Sequence, residues 1–359
     1  MKKVSIQCLL VISSSVLLVL FSAGCTKRPS SRSNLPRETV ERLAAKHRFD
    51  ELFRPVGVIE LRTDSSHLVG RVDVMAFFNN GNFAIGDNAS HQILLFDRFG
   101  NFISQVGKFG RGPGEYVRIA SLATNDRNEL LCLDNSLNMV SRFDSAGRYV
   151  NSCQVKYGFV LKTAEDRGFY VYNYLTPPES KRNVVFKYDS SGNLVKSFGS
   201  PWPKVIIDRV PIGGGGMARF DNEIFIIQAS EFKVRKYSSE GRFIKEFGRD
   251  SPVYKPLQPP VSFSDREKLE SFTAVSSIFA LSPGVLAVFL TRTQPASQWI
   301  ELFDREGNFL TGAIEVPQNL EVCRSAYKDI LYFVEYPSLI QGSKGGFANP
   351  KIHGYQLIP

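Results

Sequence analysis

Cysteine is scarce in this chain of 359 residues, and its distribution argues against a disulfide-stabilised fold. Of the 5 cysteines, Cys8 lies within an apolar amino-terminal segment and Cys25 directly follows it. Cys132, Cys153 and Cys323 remain, and an odd number of cysteines does not make a complete disulfide framework. The strand assignment below places a third strand between Cys132 and Cys153, which separates them by about 10 Å, beyond disulfide reach. We therefore expect these thiols to be buried and free, with no role in metal binding.

The sequence also lacks the patterns of common catalytic and nucleic-acid-binding sites. Its 4 histidines are isolated, with none at the spacing of metal ligands, and no Gly-x-Ser-x-Gly segment is present. Lysine and arginine number 44 against 35 acidic residues, a formal net charge of +9, but no block of like charges forms a nucleic-acid-binding arm. We predict no catalytic residue, no metal and no cofactor, and nucleic acid is not an expected partner.

Residues 1–24 have the organisation of a secretory signal peptide. Lys2 and Lys3 precede a mostly apolar run that ends in small residues. The segment Leu-Phe-Ser-Ala-Gly-Cys, from Leu20 to Cys25, resembles a bacterial lipobox, with its leucine one position earlier than in the usual pattern. The resemblance implies that Cys25 is lipidated. The alternative is an uncleaved membrane helix, because the apolar run is about long enough to span a bilayer.

The residues after Cys25 predict a tether followed by a short helical segment. Residues 25–35 are almost entirely polar and basic, which is typical of an unstructured linker close to anionic lipid headgroups. Residues 36–54 begin with a proline, which favours the first turn of a helix. We therefore predict a cell-envelope protein that is lipid-anchored to a membrane, at the outer membrane or periplasm if the cell is Gram-negative.

An internal repeat organises the rest of the chain. Five segments share the pattern apolar, aromatic, Asp (Ser in one copy), x, x, Gly, x, apolar, and they recur roughly every 45 to 50 residues except for a longer last interval. Aspartate accepts hydrogen bonds from the backbone ahead of it and glycine takes a positive φ, so each segment predicts a turn between two antiparallel strands. The repeated segments are 95–102, 142–149, 187–194, 236–243 and 302–309.

Two further strands precede each predicted hairpin, which gives the four-stranded rhythm of a propeller blade. A sixth blade begins near Leu320 but lacks a fourth strand. Residues 56–61 form an apolar strand with no other partner, so we expect this strand to complete the last blade and close the ring. The predicted fold class is all-β, a six-bladed β-propeller of four-stranded antiparallel blades over residues 55–359.

The repeat resembles the NHL-type six-bladed propellers, in particular bacterial lipoproteins of that kind. Residues 107–116, Gly-Lys-Phe-Gly-Arg-Gly-Pro-Gly-Glu-Tyr, are similar to the Gly-Pro-Gly-Glu-aromatic link between blades in those proteins. The resemblance covers residues 56–359 and is specific for the fold rather than the function. Some six-bladed relatives, such as gluconolactonase-like enzymes, hold a metal at the central opening. Asp208, Glu231 and Asn173 are the candidates for that role here.

The predicted links between strands differ in length, and the longer ones indicate a binding face. Strands alternate in direction, so links between blades, and links between the second and third strands, emerge on one face, which we call the long-loop face. Long loops on a rigid scaffold commonly carry binding residues, although tolerated insertions would give the same pattern. The long links are residues 176–183, 201–216, 249–273, 292–298 and 336–351. The candidate ligand-binding residues on this face are Arg111, Glu115, Lys181, Arg182, Asp208, Arg209 and Arg292.

Two functions remain open at this point. The first is a non-enzymatic lipoprotein that binds a protein, peptide or glycan partner through the long-loop face, most simply as a monomer. The second is a hydrolase or lyase that depends on a metal or a carboxylate pair at the central opening. An acidic opening would favour the enzyme, whereas an apolar or basic opening would favour the binding protein.

Overall fold

The protein is an all-β, six-bladed propeller, as the sequence predicts. The computed structural model describes residues 33–175, 182–202, 206–207, 210–211, 214–258, 261–337 and 348–358. Its six four-stranded sheets are antiparallel. The innermost strand of each sheet contacts that of the next, and the last contacts the first, so the sheets form a closed ring.

The strands follow the meander order expected of propeller blades. From the innermost strand outward, blade 1 comprises β2 (Val74–Phe77), β3 (Phe83–Asp87), β4 (Gln92–Phe96) and β5 (Phe102–Gln105), and blade 2 comprises β8 (Ile119–Thr124), β9 (Leu130–Asp134), β10 (Met139–Phe143) and β11 (Tyr149–Gln154). In the same order, blade 3 comprises β12 (Val160–Thr163), β13 (Phe169–Tyr172), β14 (Val185–Tyr188) and β15 (Leu194–Phe198), and blade 4 comprises β18 (Gly215–Phe220), β19 (Glu223–Gln228), β20 (Glu231–Ser238) and β21 (Phe243–Gly248). Blade 5 comprises β22 (Thr273–Leu281), β23 (Val285–Arg292), β24 (Ser297–Asp304) and β25 (Phe309–Glu315), and blade 6 comprises β26 (Glu321–Tyr327), β27 (Ile330–Glu335), β28 (Lys351–Leu357) and β1 (Phe53–Glu60).

Short elements occupy the links. They are the helices α1 (Arg37–Ala44), α2 (Phe49–Leu52) and α3 (Arg266–Ser271), and the two-residue strands β6 (Lys108–Phe109), β7 (Glu115–Tyr116), β16 (Ile206–Ile207) and β17 (Val210–Pro211). No helix in the part of the chain that the structure describes is long and apolar enough to cross a membrane.

The middle strands of the blades are buried on both faces. Every residue of β3, β4 and β9 is buried, which explains why these strands are nearly continuous apolar runs rather than alternating patterns. In β3, Phe83 and Ile85 pack toward blade 6, whereas Ala84 packs toward blade 2. Full burial of a large apolar side chain contributes about 1.5–3 kcal/mol. The apolar cores of the protein therefore lie between successive blades.

The Asp-x-x-Gly segments form the predicted turns between the two outer strands. In blade 1, Asp97 Oδ1 accepts hydrogen bonds from the amides of Phe99 and Asn101, both at 2.9 Å. Gly100 has a φ of 87°, and a Cβ there would overlap the carbonyl of Glu60 in the neighbouring blade. Glycine is thus required both for the turn and for the close approach of the neighbouring blade.

The glycine-rich link between blades 1 and 2 has a defined structure that is held by hydrogen bonds. Its strands β6 and β7 pair in parallel, and the Tyr116 side chain turns into the core. The Tyr116 hydroxyl accepts a hydrogen bond from the Ile93 amide at 2.8 Å and donates one to the Val106 carbonyl at 3.1 Å. This hydroxyl therefore joins the link to both outer strands of blade 1.

Strand β1 is the outermost strand of blade 6. It begins at Phe53, earlier than the sequence predicts, and pairs in antiparallel register with β28 from Phe53 opposite Leu357 to Glu60 opposite Lys351. The amide of Ile358 adds a hydrogen bond of 2.7 Å to the carbonyl of Leu52. Residues nearly 300 positions apart in sequence therefore share one sheet.

The amino-terminal helices cover the outside of blades 5 and 6. Leu43 of α1 and Phe49 and Leu52 of α2 are buried in a cluster that includes Leu310 of β25 and Phe333 of β27. Just before α1, the Asn34 side chain accepts a hydrogen bond of 3.2 Å from the Arg305 amide, in the turn between β24 and β25. The described chain therefore begins on the face opposite the long-loop face. We call this opposite face the short-turn face.

Two local predictions are corrected by the structure. Cys132, Cys153 and Cys323 form no disulfide with a described cysteine, and Cys132 and Cys323 are buried, but Cys153 is partly exposed, because it lies on the outer strand β11 with one side against Gly192. The Ser-Asp-Arg-Glu segment at residues 264–267 predicts a capping box, yet α3 starts without a side-chain cap, since the carboxylate of Asp265 accepts the amide of Ser262 at 2.9 Å instead.

Replacing Tyr116 with phenylalanine is expected to lower the free energy of unfolding by about 1–3 kcal/mol, because it leaves a buried amide and a buried carbonyl unpaired. Chemical denaturation of Tyr116→Phe measures this. The matched control is Tyr149→Phe, whose hydroxyl is paired with Ser152 at 3.0 Å on the exposed outer strand of blade 2. Equal stability of the two variants would contradict the bridging role of Tyr116.

Candidate functional site

The predicted site residues are spread around the long-loop face rather than gathered in one place. Arg111 is exposed in the link between blades 1 and 2, Arg182 is exposed in blade 3, and Arg292 ends strand β23 of blade 5. Lys181, Asp208 and Arg209, like the lipidation candidate Cys25, lie outside the described residues.

Glu115 stabilises its own link. Its carboxylate accepts the amide of Gly112 at 2.7 Å and lies 3.2 Å from the ammonium of Lys108. The Gly112 amide, followed by the Lys108 side chain, lowers the pKa of Glu115. The charge of Glu115 is thus already compensated within the link.

Arg292 has a similar internal role. Its guanidinium donates to the carbonyl of Val253 at 2.9 Å and to the hydroxyl of Thr273 at 3.0 Å, and it lies 4.8 Å from the centre of the Trp299 ring. These contacts attach the long insertion after blade 4 to the first three strands of blade 5.

The residues proposed for a central metal site do not line the centre. Asn173 accepts the amide of Leu175 at 2.9 Å, and Glu231 pairs with Lys233 at 2.7 Å on the third strand of blade 4. Asp208 is not among the described residues. Across the described ranges, no group of three or more histidine, cysteine, aspartate or glutamate side chains is arranged to hold a metal ion.

A cavity of about 180 Å³ occupies the central channel, where the innermost strands of all six blades meet. Its wall is apolar and hydroxyl-bearing, and Lys162 of β12 is the one charged side chain among its described lining residues. A second cavity of about 240 Å³ continues toward the short-turn face and is lined by Lys162, Thr163 and Arg219 among others. Lys162 therefore lies where the two cavities meet.

Lys162 occupies the position that alanine holds in blades 1 and 2. It pairs across the sheet with Tyr170, whereas the corresponding pairs are Ala76 with Ala84 in blade 1 and Ala123 with Leu131 in blade 2. Small residues are expected where six strands converge on one axis. Lysine at this position therefore extends a long basic side chain into the most crowded part of the ring.

Burial in the channel lowers the pKa of Lys162 below its usual value, because an ammonium group loses hydration there. The Lys162 side chain makes no hydrogen bond or ion pair with the described part of the protein. Arg219, the other cation nearby, is held by the Thr163 carbonyl and the Glu165 carboxylate, both at 3.1 Å. The Lys162 amine thus belongs to a partly buried side chain in the channel wall and has no counter-charge among these residues.

Hydroxyl groups also face the channel. The side chains of Ser277 and Ser325 line the cavity and have no hydrogen-bond partner among the residues described. By contrast, the Ser121 hydroxyl accepts the amide of Leu161 at 3.2 Å, and that of Thr124 donates to the carbonyl of Phe77. Some hydroxyl groups of the channel therefore form hydrogen bonds with the protein backbone, while others are available to bind a ligand.

An aromatic group lies at the long-loop end of the channel. Phe159 lines the cavity, stacks on Tyr174 with ring centres 4.5 Å apart, and meets the ring of Tyr157 edge-on at 5.0 Å. The Tyr157 side chain is 44% exposed. We call these three residues the aromatic mouth. They offer apolar contact surface and phenol hydroxyls beside the channel entrance.

A second buried titratable group belongs to the scaffold. Burial raises the pKa of Glu301 in β24, while the Ser251 hydroxyl donates to its carboxylate and Arg249 lies 3.8 Å away. Opposite it, a Cβ at Gly312 would overlap the carboxylate. Glu301 is enclosed within blade 5 and its preceding link, away from the channel.

Sequence reasoning missed Lys162 and the aromatic mouth. The signal for Lys162 is present in the inner strands, where Leu122-Ala123-Thr124 corresponds to Leu161-Lys162-Thr163. Recognising the exception required the register of each inner strand against its neighbour, and the repeated hairpin turns do not determine that register. The aromatic mouth combines residues from two separate links, which sequence spacing does not bring together.

Comparison with known proteins gives a family and a fold. The family model described as domain of unknown function DUF4934 matches residues 34–229, and a search of curated proteins gives no match. A protein of Bacteroides fragilis assigned as exported has 14% identity and a TM-score of 0.65, over 87% of this chain and 97% of that chain. A DUF4221 family member from Bacteroides vulgatus has 11% identity and a TM-score of 0.63, over 86% and 98%.

An enzyme shares the fold as well. A gluconolactonase from Xanthomonas campestris has 10% identity and a TM-score of 0.50, over 85% of this chain and 99% of that chain. At such identities the likeness is one of fold alone, because propellers carry many functions. The structural neighbours therefore include both an enzyme and a protein assigned as exported.

Replacing Lys162 with methionine is expected to raise the free energy of unfolding near neutral pH, because the ammonium loses hydration on folding whereas methionine carries no charge. The unfolded lysine binds its proton more tightly than the folded one, so wild-type stability rises with pH and the advantage of Lys162→Met shrinks as pH approaches 10.5. Denaturation at several pH values measures both effects.

The matched control is Lys196→Met on the outer strand of blade 3, where the lysine side chain is 40% exposed and its ammonium lies 3.2 Å from the Glu240 carboxylate. Lys196→Met should change the free energy of unfolding little, and its effect should not depend on pH in the way expected of Lys162→Met. A Lys162→Met protein that is less stable than wild type at neutral pH would contradict the interpretation that the Lys162 ammonium lacks a counter-charge.

Proposed function

This chain belongs to the DUF4934 family, a domain of unknown function, and we propose that it is a lipid-anchored protein of the cell envelope whose propeller binds a protein, peptide or glycan at its long-loop face without catalysing a reaction. The observation that carries the proposal is the character of the central opening. Its described lining combines apolar groups, hydroxyls and one amine. That surface is suited to binding, whereas a hydrolase or lyase of this architecture would place acidic groups or metal ligands there.

The aromatic mouth supports binding at the long-loop face. Tyrosine is enriched among the residues that contribute most to binding, because its ring supplies large contact area and its hydroxyl a hydrogen bond. Tyr157 combines exposure with rigid support, since Phe159 and Tyr174 pack in series behind it. Peptides and glycans both bind to such aromatic surfaces.

The place where the described chain begins supports an orientation of the propeller relative to the membrane. Asn34 is bonded at the short-turn face, and residues 25 to 34 span at most about 30 Å when fully extended. A lipid on Cys25 would therefore hold the short-turn face toward the membrane. The long-loop face would point away from it, toward a soluble or surface-bound partner.

Replacing Cys25 with serine should move the full-length protein from the membrane fraction to the soluble fraction, because it removes the proposed site of lipidation. Fractionation of cells, together with the intact mass of the mature chain, measures this. Cys8→Ser is the matched control, since Cys8 lies within the predicted signal peptide, and it should leave both readouts unchanged. A Cys25→Ser chain that stays in the membrane fraction would favour the uncleaved membrane helix.

Replacing Tyr157 with alanine should weaken binding of a peptide or glycan ligand at least 10-fold, equivalent to about 1.4 kcal/mol, because it removes the exposed ring of the aromatic mouth. The ligand is first selected from glycan and peptide arrays, and its affinity is then measured by calorimetry. Tyr149→Ala, on the outer strand of blade 2, is the control and should bind as wild type. Equal loss in both variants, or chemical conversion of the ligand, would contradict the proposal.

A further inference from the structure

We infer that the central channel is a binding site for a carboxylate group, which the Lys162 ammonium pairs with inside the cavity formed by the six inner strands. This site lies inside the channel, below the aromatic mouth, with which it shares Phe159, and it is tested separately from the proposed function. It rests on the position of Lys162, on the hydroxyl-bearing residues that line the same cavity and on the size of that cavity.

The amine requires a partner that the described protein does not supply. Lys162 lines both channel cavities, and none of their described lining residues is a carboxylate. The Lys162 side chain is partly buried, and charges that lose hydration in a protein are ordinarily paired, since an unpaired one loses that hydration without compensation. The nearby cation Arg219 illustrates the ordinary case, because Glu165 lies 3.1 Å from it. An incoming anion would give Lys162 the same compensation.

The remaining polar groups suit a second and third contact. The Ser277 and Ser325 hydroxyls line the same cavity without a described protein partner. Each hydroxyl can donate one hydrogen bond, and a carboxylate accepts up to about four. Together with the Lys162 ammonium, they form a donor set without a competing acidic side chain among the described lining residues.

Charge and size select a carboxylate over other anions. One amine balances a single negative charge, whereas a phosphate carries more charge and is typically held by an arginine fork or several amides. The cavity of about 180 Å³ is larger than a bare inorganic ion requires. An engineered apolar cavity of about 150 Å³ in another protein holds benzene. A small carboxylic acid with an apolar body therefore fits the channel in both volume and polarity.

The carboxylate could belong to a free acid or to an acidic sugar, and paired probes separate these sources. Benzoate is compared with the neutral benzamide, and methyl glucuronide with the neutral methyl glucoside. All four are titrated into the folded protein at constant ionic strength and followed by ligand-observed NMR. We expect at least one acid to bind 10-fold or more tightly than its neutral counterpart. Preference for benzoate indicates a free acid, and preference for the glucuronide indicates an acidic sugar.

Two variants test the role of the amine. Lys162→Met should reduce the affinity for the acid at least 10-fold while leaving the neutral probe unchanged, and Lys196→Met should bind as wild type. A thermal melt of each variant establishes that it is folded. The comparison of acid with neutral probe on the wild-type protein needs no variant, so a Lys162→Met chain that failed to fold would leave the test intact.

The inference is overturned if no acid binds wild type at 10 mM, if acid and neutral probes bind equally, or if Lys162→Met keeps the preference for the acid. None of these outcomes bears on the long-loop face, which is tested separately through Tyr157. A channel that binds acids alongside a long-loop face that binds nothing would uphold this inference and reject the proposed function.

Discussion

Every blade of this propeller has two apolar faces, and the need to bury both of them governs the rest of the structure. A single sheet such as blade 1 would expose Phe83 on one side and Ala84 on the other, so it gains its burial only between two neighbours. A linear stack of such sheets would still leave an open face at each end. Bending the stack into a ring removes both ends, which is why β26 of the last blade contacts β2 of the first.

Closure of the ring also determines what its centre can contain. Six strands approach one axis, and the inner positions of blades 1 and 2 accordingly carry Ala76 and Ala123. Compared with these two alanines, Lys162 differs both in size and in charge. Packing alone does not explain it, since a small side chain fits the equivalent position in blades 1 and 2. Residues that oppose the local demands of a fold are commonly those retained for function.

The fold could be predicted from the sequence because its signals are local. An Asp-x-x-Gly turn specifies its own hydrogen bonds within a few residues, as Asp97 does with Phe99 and Asn101, and five such turns indicate the blade repeat. The candidate site depends instead on which side chains from different blades meet. Glu115 and Arg292 have the charge expected of binding residues, but the structure shows that each supports a link. Lys162 resembles any strand lysine until six inner strands are brought together.

The pairing of β1 with β28 has a consequence for the order of events during synthesis. Strand β1 emerges from the ribosome before any blade exists, and its partner follows only after nearly 300 further residues. Throughout that interval the hydrogen-bonding edge of β1 has no native strand beside it, and such edges readily pair with other chains. Folding that depends on contacts this distant in sequence is intrinsically slow. A chaperone that shields the first sixty residues of the nascent chain would therefore protect this protein at its most aggregation-prone stage.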